Sequence, residues 1–186
     1  MSDILASAQP GAQFDGLIRI REAGLCGMIT LRGDLKALAG PLRAQTGLEI
    51  PAQRRIVTKG VLQLVWMSPD ELLLCLPHSD APAMVATLQT ALAGQFATVA
   101  NVSDARAVFD LSGPRVRDVL AKLCPVDFAT LQPGDIRRSR AAQVAAAILV
   151  LKEDQFRVIC FRSVAGYMFD LLAGAAAPGS DPALYQ

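Results

Sequence analysis

Met28-Ile29-Thr30-Leu31-Arg32-Gly33-Asp34-Leu35 and Val108-Phe109-Asp110-Leu111-Ser112-Gly113-Pro114-Arg115 share one form: a strand-like run, a glycine turn and the start of a helix-like run. The pairing continues downstream. Val61 to Met67, the turn Ser68-Pro69-Asp70 and Glu71 to Leu76 make two apolar runs around a polar turn, and so do Val144 to Leu151, Lys152-Glu153-Asp154 and Gln155 to Phe161. A helical pattern follows each pair. Matching positions lie about 80 residues apart, well beyond the ~20–50 residues of solenoid or propeller units. The chain therefore reads as a tandem duplication of one α+β module, and neither copy contains an obvious catalytic constellation.

A length of 186 residues suits one domain or two small fused halves, at roughly 100–200 residues per domain. Apolar residues are 52% and charged residues 19% of the chain, richer in the first and poorer in the second than an average soluble domain. Either the core is large or apolar surface is covered by a partner. A net charge of +1 supplies no basic field for nucleic acid or an anionic membrane. The longest apolar stretch, Ala141 to Leu151, is interrupted by Gln143 and falls short of the ~20 residues that span a bilayer. Met1-Ser2-Asp3-Ile4 lacks the basic start of a secretory signal, so a cytoplasmic chain is expected. Cys26, Cys75, Cys124 and Cys160 form no C-x-x-C pair and read as reduced packing residues.

Residues 1–15 read as a flexible arm, 16–103 as the first half, 104–173 as the second and 174–186 as a flexible tail. In the first half, strands are expected at Leu17 to Arg21 and Cys26 to Arg32. Asp34 caps a helix to about Gln45, broken or shortened at Pro41 and closed by Gly47. A loop over 48–60 with room for a short strand precedes the 61–76 hairpin. Ser79 or Asp80 then caps a helix to about Ala93, and Phe96 to Val102 is a strand. In the second half, Arg106 to Leu111 is a strand, Ser112 caps a helix over 114–123, and 124–140 is a loop with a basic cluster. Strands over 141–151 and 156–162 and a helix from Ser163 to Ala173 complete it. The order is a ferredoxin-like arrangement, duplicated, with antiparallel or mixed sheets and helices outside.

Residues with chemical potential are sparse. His78 is the sole histidine; it has no nucleophile motif around it and reads as a loop residue. Asp70-Glu71 and Glu153-Asp154 sit in hairpin turns, where solvated charge is expected. Asp104 lies at the junction of the halves and suits a turn better than a ligand contact. Gly33 and Gly113 belong to no phosphate-loop pattern and read as tight turns into helices. Trp66 alternates within a buried strand and reads as core. Arg137, Arg138 and Arg140, with Arg54 and Arg55, are the most prominent charge clusters. Arginine forks match carboxylates, so these clusters suit an acidic partner or a carboxylate ligand, or equally a solvated loop. No aromatic interleaving supports nucleic-acid readout.

Trp66-Met67-Ser68-Pro69-Asp70-Glu71-Leu72-Leu73-Leu74 resembles the G-P-D-E-(F/W)-L-(L/V) hairpin of folate-dependent aminomethyltransferases. The stretch from Val108 to Leu120 resembles their L-x-G-P-x-A-x-x-L-L segment. The closing Phe161-Arg162-Ser163-Val164-Ala165-Gly166-Tyr167-Met168-Phe169-Asp170-Leu171-Leu172 carries the most specific pattern, Arg-Ser-x-Ala-x-Tyr. Over about residues 15–175 the chain most resembles the gamma subunit family of heterotetrameric sarcosine oxidase. The resemblance implies a folate-binding-domain fold and an accessory role beside alpha, beta and delta subunits. Such assemblies demethylate sarcosine oxidatively to glycine, with hydrogen peroxide and methylene-tetrahydrofolate formed. FAD, FMN, NAD and tetrahydrofolate belong to the partner subunits. Working aminomethyltransferases are longer and carry their catalytic Asp in an Asp-(Leu/Met)-Ser motif before the second half. Here the corresponding stretch is Asn101-Val102-Ser103-Asp104, so no catalytic, cofactor or metal residue carries over. An accessory subunit would use Arg137, Arg138, Arg140, Arg162 and Tyr167 as interface or structural anchors. The rival expectation is a stand-alone small folate-binding protein with its pocket between the halves.

Overall fold

The computed structural model describes residues 6–184; expectations for residues 1–5 and 185–186, the outer ends of arm and tail, lie outside the described residues. The elements in chain order are β1 Gln13–Asp15, β2 Arg19–Glu22, β3 Cys26–Gly33, α1 Leu35–Thr46, β4 Ile56–Lys59, β5 Leu62–Ser68, β6 Glu71–Pro77 and α2 Ala81–Ala91. They continue with β7 Ala97–Asn101, β8 Arg106–Ser112, α3 Val116–Ala121, β9 Ile136–Ala141, β10 Val144–Lys152, β11 Gln155–Phe161 and α4 Ala165–Ala175. Leu25 to Ser103 form one compact unit; residues up to Gly24 together with those from Asp104 onward form the other.

The central unit holds a sheet of order β4-β5-β6-β3-β7, and the other a sheet of order β1-β2-β8-β11-β10-β9. Every pairing in both is antiparallel. Strand for strand, β9-β10-β11-β8-β2 take the places of β4-β5-β6-β3-β7. The last correspondence corrects the expected boundary at residue 16. β7 pairs with β3 from Ile29↔Asn101 to Gly33↔Ala97. β2, which leads directly into β3 along the chain, pairs instead with β8, from Arg19↔Ser112 to Glu22↔Phe109. Each repeat thus contributes its leading strand to the other unit's sheet, and residues 16–24 leave the first half.

The expected arm and tail are also revised. β1 pairs with β2 through Phe14↔Ile20, so the inner part of the arm is a strand. The tail is held to α3: the Leu184 amide donates to Asp118 Oδ1 at 2.7 Å and Arg115 pairs with Asp181 at 3.0 Å.

Alternation places Leu72 and Leu74 of β6 on one sheet face with Ile29, Leu31 and Leu64, packed against Leu38, Leu42 and Leu88 of the helices. Met28, Val65, Leu73 and Cys75, on the opposite face, are buried as well. The other unit behaves alike: Ile148, Val150, Phe156 and Val158 join the helix-side core, while Val108, Leu149 and Ile159 are buried on the second face. Strands buried on both faces read as continuous apolar runs. That accounts for the apolar composition within the chain.

Local differences have local causes. α1 runs through Pro41 without ending. Proline removes one ladder bond, but Leu38 and Leu42 are fully buried on either side, Asp34 accepts from the Lys36 amide, and Gly47 closes the helix at φ 69°. Asp80 stands at the N-cap of α2 without a side-chain capping bond, and a tight turn over 78–80 runs straight into the helix. Ser112 ends β8 rather than capping α3, which starts at Val116 after a Val116-to-Gly113 backbone turn. The expected loop over 124–140 contains β9. Ile136-Arg137-Arg138-Ser139-Arg140 offers no apolar alternation, because an edge strand need not bury a whole face.

Candidate functional site

The two motif glycines perform one task in each copy. The Gly33 amide donates to the Asp70 carbonyl and the Gly113 amide to the Asp154 carbonyl, each at 3.0 Å, tying the strand end to the hairpin turn beside it. Their φ angles are 156° and 137°, and a side chain at Gly33 would meet the Phe96 carbonyl at 3.0 Å. Glycine is what allows the leading strand to approach. Beside each glycine lies a groove. The one at Gly33 is about 580 Å³ and lined by Arg32, Asp34, Asp70, Gln95, Phe96 and Thr98. The one at Gly113 is about 400 Å³ and lined by Asp15, Gly16, Leu17, Arg19 and Ser112.

Each groove holds an aspartate already committed to arginine. Arg32 reaches Asp70 at 3.1 Å, and the Ser68 hydroxyl, then Arg32, hold the Asp70 carboxyl below its ordinary range. Arg21 and Arg19 grip Asp15 at 3.0 and 3.2 Å, and the Arg21 hydrogen bond, then Arg19, lower its pKa. Phe96 stands fully exposed on the rim of the first groove. Neither lining includes a histidine or a thiol. The arrangement can present charge and an aromatic ring to a binding partner; it has no activated nucleophile.

The stretch Asn101-Val102-Ser103 forms a structural turn. Asn101 Oδ1 accepts from the Ser103 amide at 3.0 Å and from its hydroxyl at 2.5 Å, and Ser103 Oγ accepts from the Met28 amide at 2.9 Å. The link between β2 and β3 repeats it: Glu22 Oε2 accepts from the Gly24 amide at 2.9 Å. The flanking backbone bonds match too, Val102 to Met28 at 2.8 Å and Ala23 to Val108 at 2.9 Å.

The arginines of the basic cluster stand on β9, the last strand of its sheet. Arg137 lies opposite Ile148 and Arg138 opposite Ala147, so they occupy different faces; Arg140, opposite Ala145, shares the face of Arg138. Arg138 and Arg140 are exposed and Arg137 is half-buried, donating to the Ile136 carbonyl at 2.8 Å. Arg162 follows β11 and donates to the carbonyls of Ala6 and Ser7 at 2.9 and 3.2 Å, clamping the N-terminal segment. Tyr167 is half-exposed on α4. Arg54 and Arg55 precede β4, in the position that Gly134 and Asp135 hold before β9.

Asp118 escaped the sequence reading, and Asp110, which reads there as an isolated acid, is paired. Asp118 is fully buried on α3 beneath the C-terminal segment; nothing in the helix pattern marks it, because its cover comes from residues read as a free tail. Asp110 takes a two-pronged grip from Arg157 at 2.7 and 2.9 Å, and only the β8–β11 register makes them neighbours. His78 lies in the short turn before α2, and Trp66 packs against the leucine core. None of the four cysteines is in a disulfide. Burial pushes the Cys124 thiol up to about 12 and Cys160 to about 11 against the opposing charge of Arg106, so both are inert packing groups. Cys75 and Cys160 fall on opposite sheet faces, one step out of register. Among the described residues no group of three or more His, Cys, Asp or Glu is placed to hold a metal ion, and no helix is long and apolar enough to cross a membrane.

This duplicated antiparallel architecture is that of the aminomethyltransferase fold: the glycine cleavage system aminomethyltransferase T from Bartonella henselae superposes with a TM-score of 0.62 at 20% identity, over 86% of this chain and 46% of that one. A chain of heterotetrameric sarcosine oxidase from Corynebacterium sp. U-96 is nearer, with a TM-score of 0.78 and 26% identity over 88% of this chain and 87% of that one. The sarcosine oxidase subunit gamma of Corynebacterium sp. (strain U-96) is 33% identical over 152 residues, 77% of this chain and 70% of that protein. The subunit gamma of Corynebacterium sp. (strain P-1) is 31% identical over 130 residues, 66% of this chain and 61% of its own length. The model of the sarcosine oxidase gamma subunit family matches residues 32–178. The chain belongs to that family.

Proposed function

We propose that this chain is the accessory subunit of a heteromeric sarcosine oxidase. It binds alpha, beta and delta chains that carry FAD, FMN, NAD and the tetrahydrofolate acceptor, in the cytoplasm. The reaction served is oxidative demethylation of sarcosine to glycine, with hydrogen peroxide and methylene-tetrahydrofolate as the other products. The observation that carries this reading is the likeness to a chain of heterotetrameric sarcosine oxidase through 88% of this chain, which takes in both compact units rather than one. The turn at Asn101 and Ser103 supports an accessory part, since both side chains there are spent on backbone groups. A subunit that binds only the folded partner stabilises it by mass action, and no chemistry of its own is needed.

The test is to purify the chain gently from cells expressing it with its neighbouring subunits. A yellow complex that contains the chain and produces hydrogen peroxide from sarcosine is expected. Removing the chain should lower the yield and thermal stability of that complex. A solitary colourless protein, together with undiminished sarcosine turnover after deletion, would overturn the reading.

A further inference from the structure

One hairpin has been lengthened in one copy only. β4 and β5 pair over four positions, from Ile56↔Val65 to Lys59↔Leu62. β9 and β10 pair over six, from Ile136↔Leu149 to Ala141↔Val144. The two hairpins start alike: the Trp66 amide reaches the Arg55 carbonyl at 3.1 Å, and the Val150 amide reaches the Asp135 carbonyl at 2.9 Å. From that common start, Ile56-Val57-Thr58-Lys59 corresponds to Ile136-Arg137-Arg138-Ser139, and Arg140-Ala141 with Val144-Ala145 are additional. The fold is complete in the shorter copy, so it requires neither the extra pairs nor the arginines.

The extension leaves a backbone edge bearing one sign of charge. β9 ends its sheet, so one side of its backbone has no strand neighbour. In a two-residue hairpin the closing pair exchanges both hydrogen bonds, and the pattern alternates from there. Ala141, Ser139 and Arg137 therefore bond inward to β10, and the amides and carbonyls of Ile136, Arg138 and Arg140 point away from it, the Ile136 carbonyl accepting from the Arg137 guanidinium at 2.8 Å. From Ile136 to Leu151 the sequence has three arginines and no acid. Phe161 stands near the same sheet end, 49% exposed, with the Arg106 guanidinium 4.5 Å from its ring centre. Register pairs Phe161 with Arg106 where the other copy pairs Pro77 with Cys26. The two added pairs, and an exposed aromatic at this register position, set this hairpin and its sheet apart from the other copy.

We propose that the open edge of β9 receives an extended acidic segment of the large partner subunit as a seventh strand, its carboxylates on Arg138 and Arg140. The occupant follows from the surface: outward backbone groups select an extended chain, and arginine forks select carboxylates. The inference rests on the accessory-subunit reading. Charged edge strands also guard sheets against aggregation, and retention in the complex separates the two roles, since a guard needs no partner.

The experiment compares complexes formed with the unaltered chain, with Arg138→Glu/Arg140→Glu, and with Arg140→Pro, which deletes an outward amide but no β10 bond. Thermal unfolding of each free chain checks its fold. Charge reversal is expected to weaken retention in the complex by roughly tenfold or more, and the proline variant to weaken it too. Retention of the unaltered chain should fall as salt rises, a reading that needs no variant. Equal retention of the charge-reversed chain, or retention indifferent to salt, overturns the edge proposal alone. Failure of the unaltered chain to assemble overturns the subunit reading and this proposal together.

Discussion

The unit from Leu25 to Ser103 and the unit built around β8 share one scaffold but fill it differently. Where the first places Leu72 and Ile29, the second places Phe156 and Phe109 at the matching strand positions. One core is mostly leucine. The other is held by aromatic contacts, with Phe128 and Phe156 edge to face at 6.2 Å and Phe109 beside Phe169 at 6.2 Å. The second faces diverge as well: Thr30 and Leu73 of β3 and β6 stand where Asp110 and Arg157 form their ion pair. The hydrogen bonds at Gly33 and Gly113, and at Arg55 and Asp135, survive this change of side chains. The duplicated object is therefore a set of backbone bonds, and each copy can bury a different apolar filling so long as those bonds close.

The largest effects should come from the fillings. Phe156→Ala removes a fully buried ring and is expected to cost ~3–5 kcal/mol, against ~2–5 kcal/mol for Leu72→Ala at the matching place. Denaturant unfolding of both variants measures this. If each loss appears as a separate transition confined to its own unit, the copies fold independently; a single shared transition joins them in one cooperative system. Ser103→Ala comes next, because it orphans the buried Met28 amide. A cost of ~1–3 kcal/mol is expected. Gly24, the matching residue at the other linker, has no side chain to lose.

These contrasts also show what was legible in the chain. The duplication, the 61–76 hairpin and the α+β class follow from the repeated glycine turns and from apolar runs long enough to announce buried strands, and the pairings decide for antiparallel over mixed sheets. The strand exchange was not legible: β2 is short, and its bonds go to β8, far along the chain, so no local pattern reports them. β9 was missed for a related reason, since Arg137, Arg138 and Arg140 break the alternation that marks a half-buried strand. Aligning Ile136 with Ile56 through the repeat was the one signal available. Of the residues chosen as anchors, Arg162 gains a definite place, holding Ala6 and Ser7, and its role could not be read because its partners are backbone carbonyls.

Smaller effects probe the backbone directly. Before each hairpin the chain takes a left-handed residue, Arg54 at φ 62° in one copy and Gly134 at φ 86° in the other. At the hairpin tips the assignment reverses, with Gly60 at φ 59° and Ala142 at φ 49°. Each copy thus uses glycine once and strains a side-chain-bearing residue once. Arg54→Gly and Ala142→Gly should each stabilise, and Gly134→Ala and Gly60→Ala each destabilise, by about 1 kcal/mol. Melting temperatures that move the same way in both members of a matched pair would contradict the shared geometry.

The smallest effect concerns the two turns that the motif glycines grip. Asp70 takes the Ser68 hydroxyl at 2.5 Å and Arg32 at 3.1 Å. In the other copy Lys152 replaces Ser68, and Glu153 takes an arginine instead, from Arg117 at 2.7 Å. Because the Ser68 hydroxyl, then Arg32, depress the Asp70 pKa, the carboxylate favours the folded state above the usual aspartate range. That contribution is lost as pH falls through and below that range. Ser68→Ala should move the Asp70 titration, followed by NMR, back toward its ordinary value, and Arg32→Gln should do so by less. Salt distinguishes the two contacts, since it screens the exposed arginine and leaves the neutral hydroxyl bond in place. A shift that survives high salt but vanishes in Ser68→Ala would place the order of this turn within its own sequence. The reverse result would make it depend on Arg32, one residue before the glycine, and the groove beside Gly33 would then loosen with ionic strength.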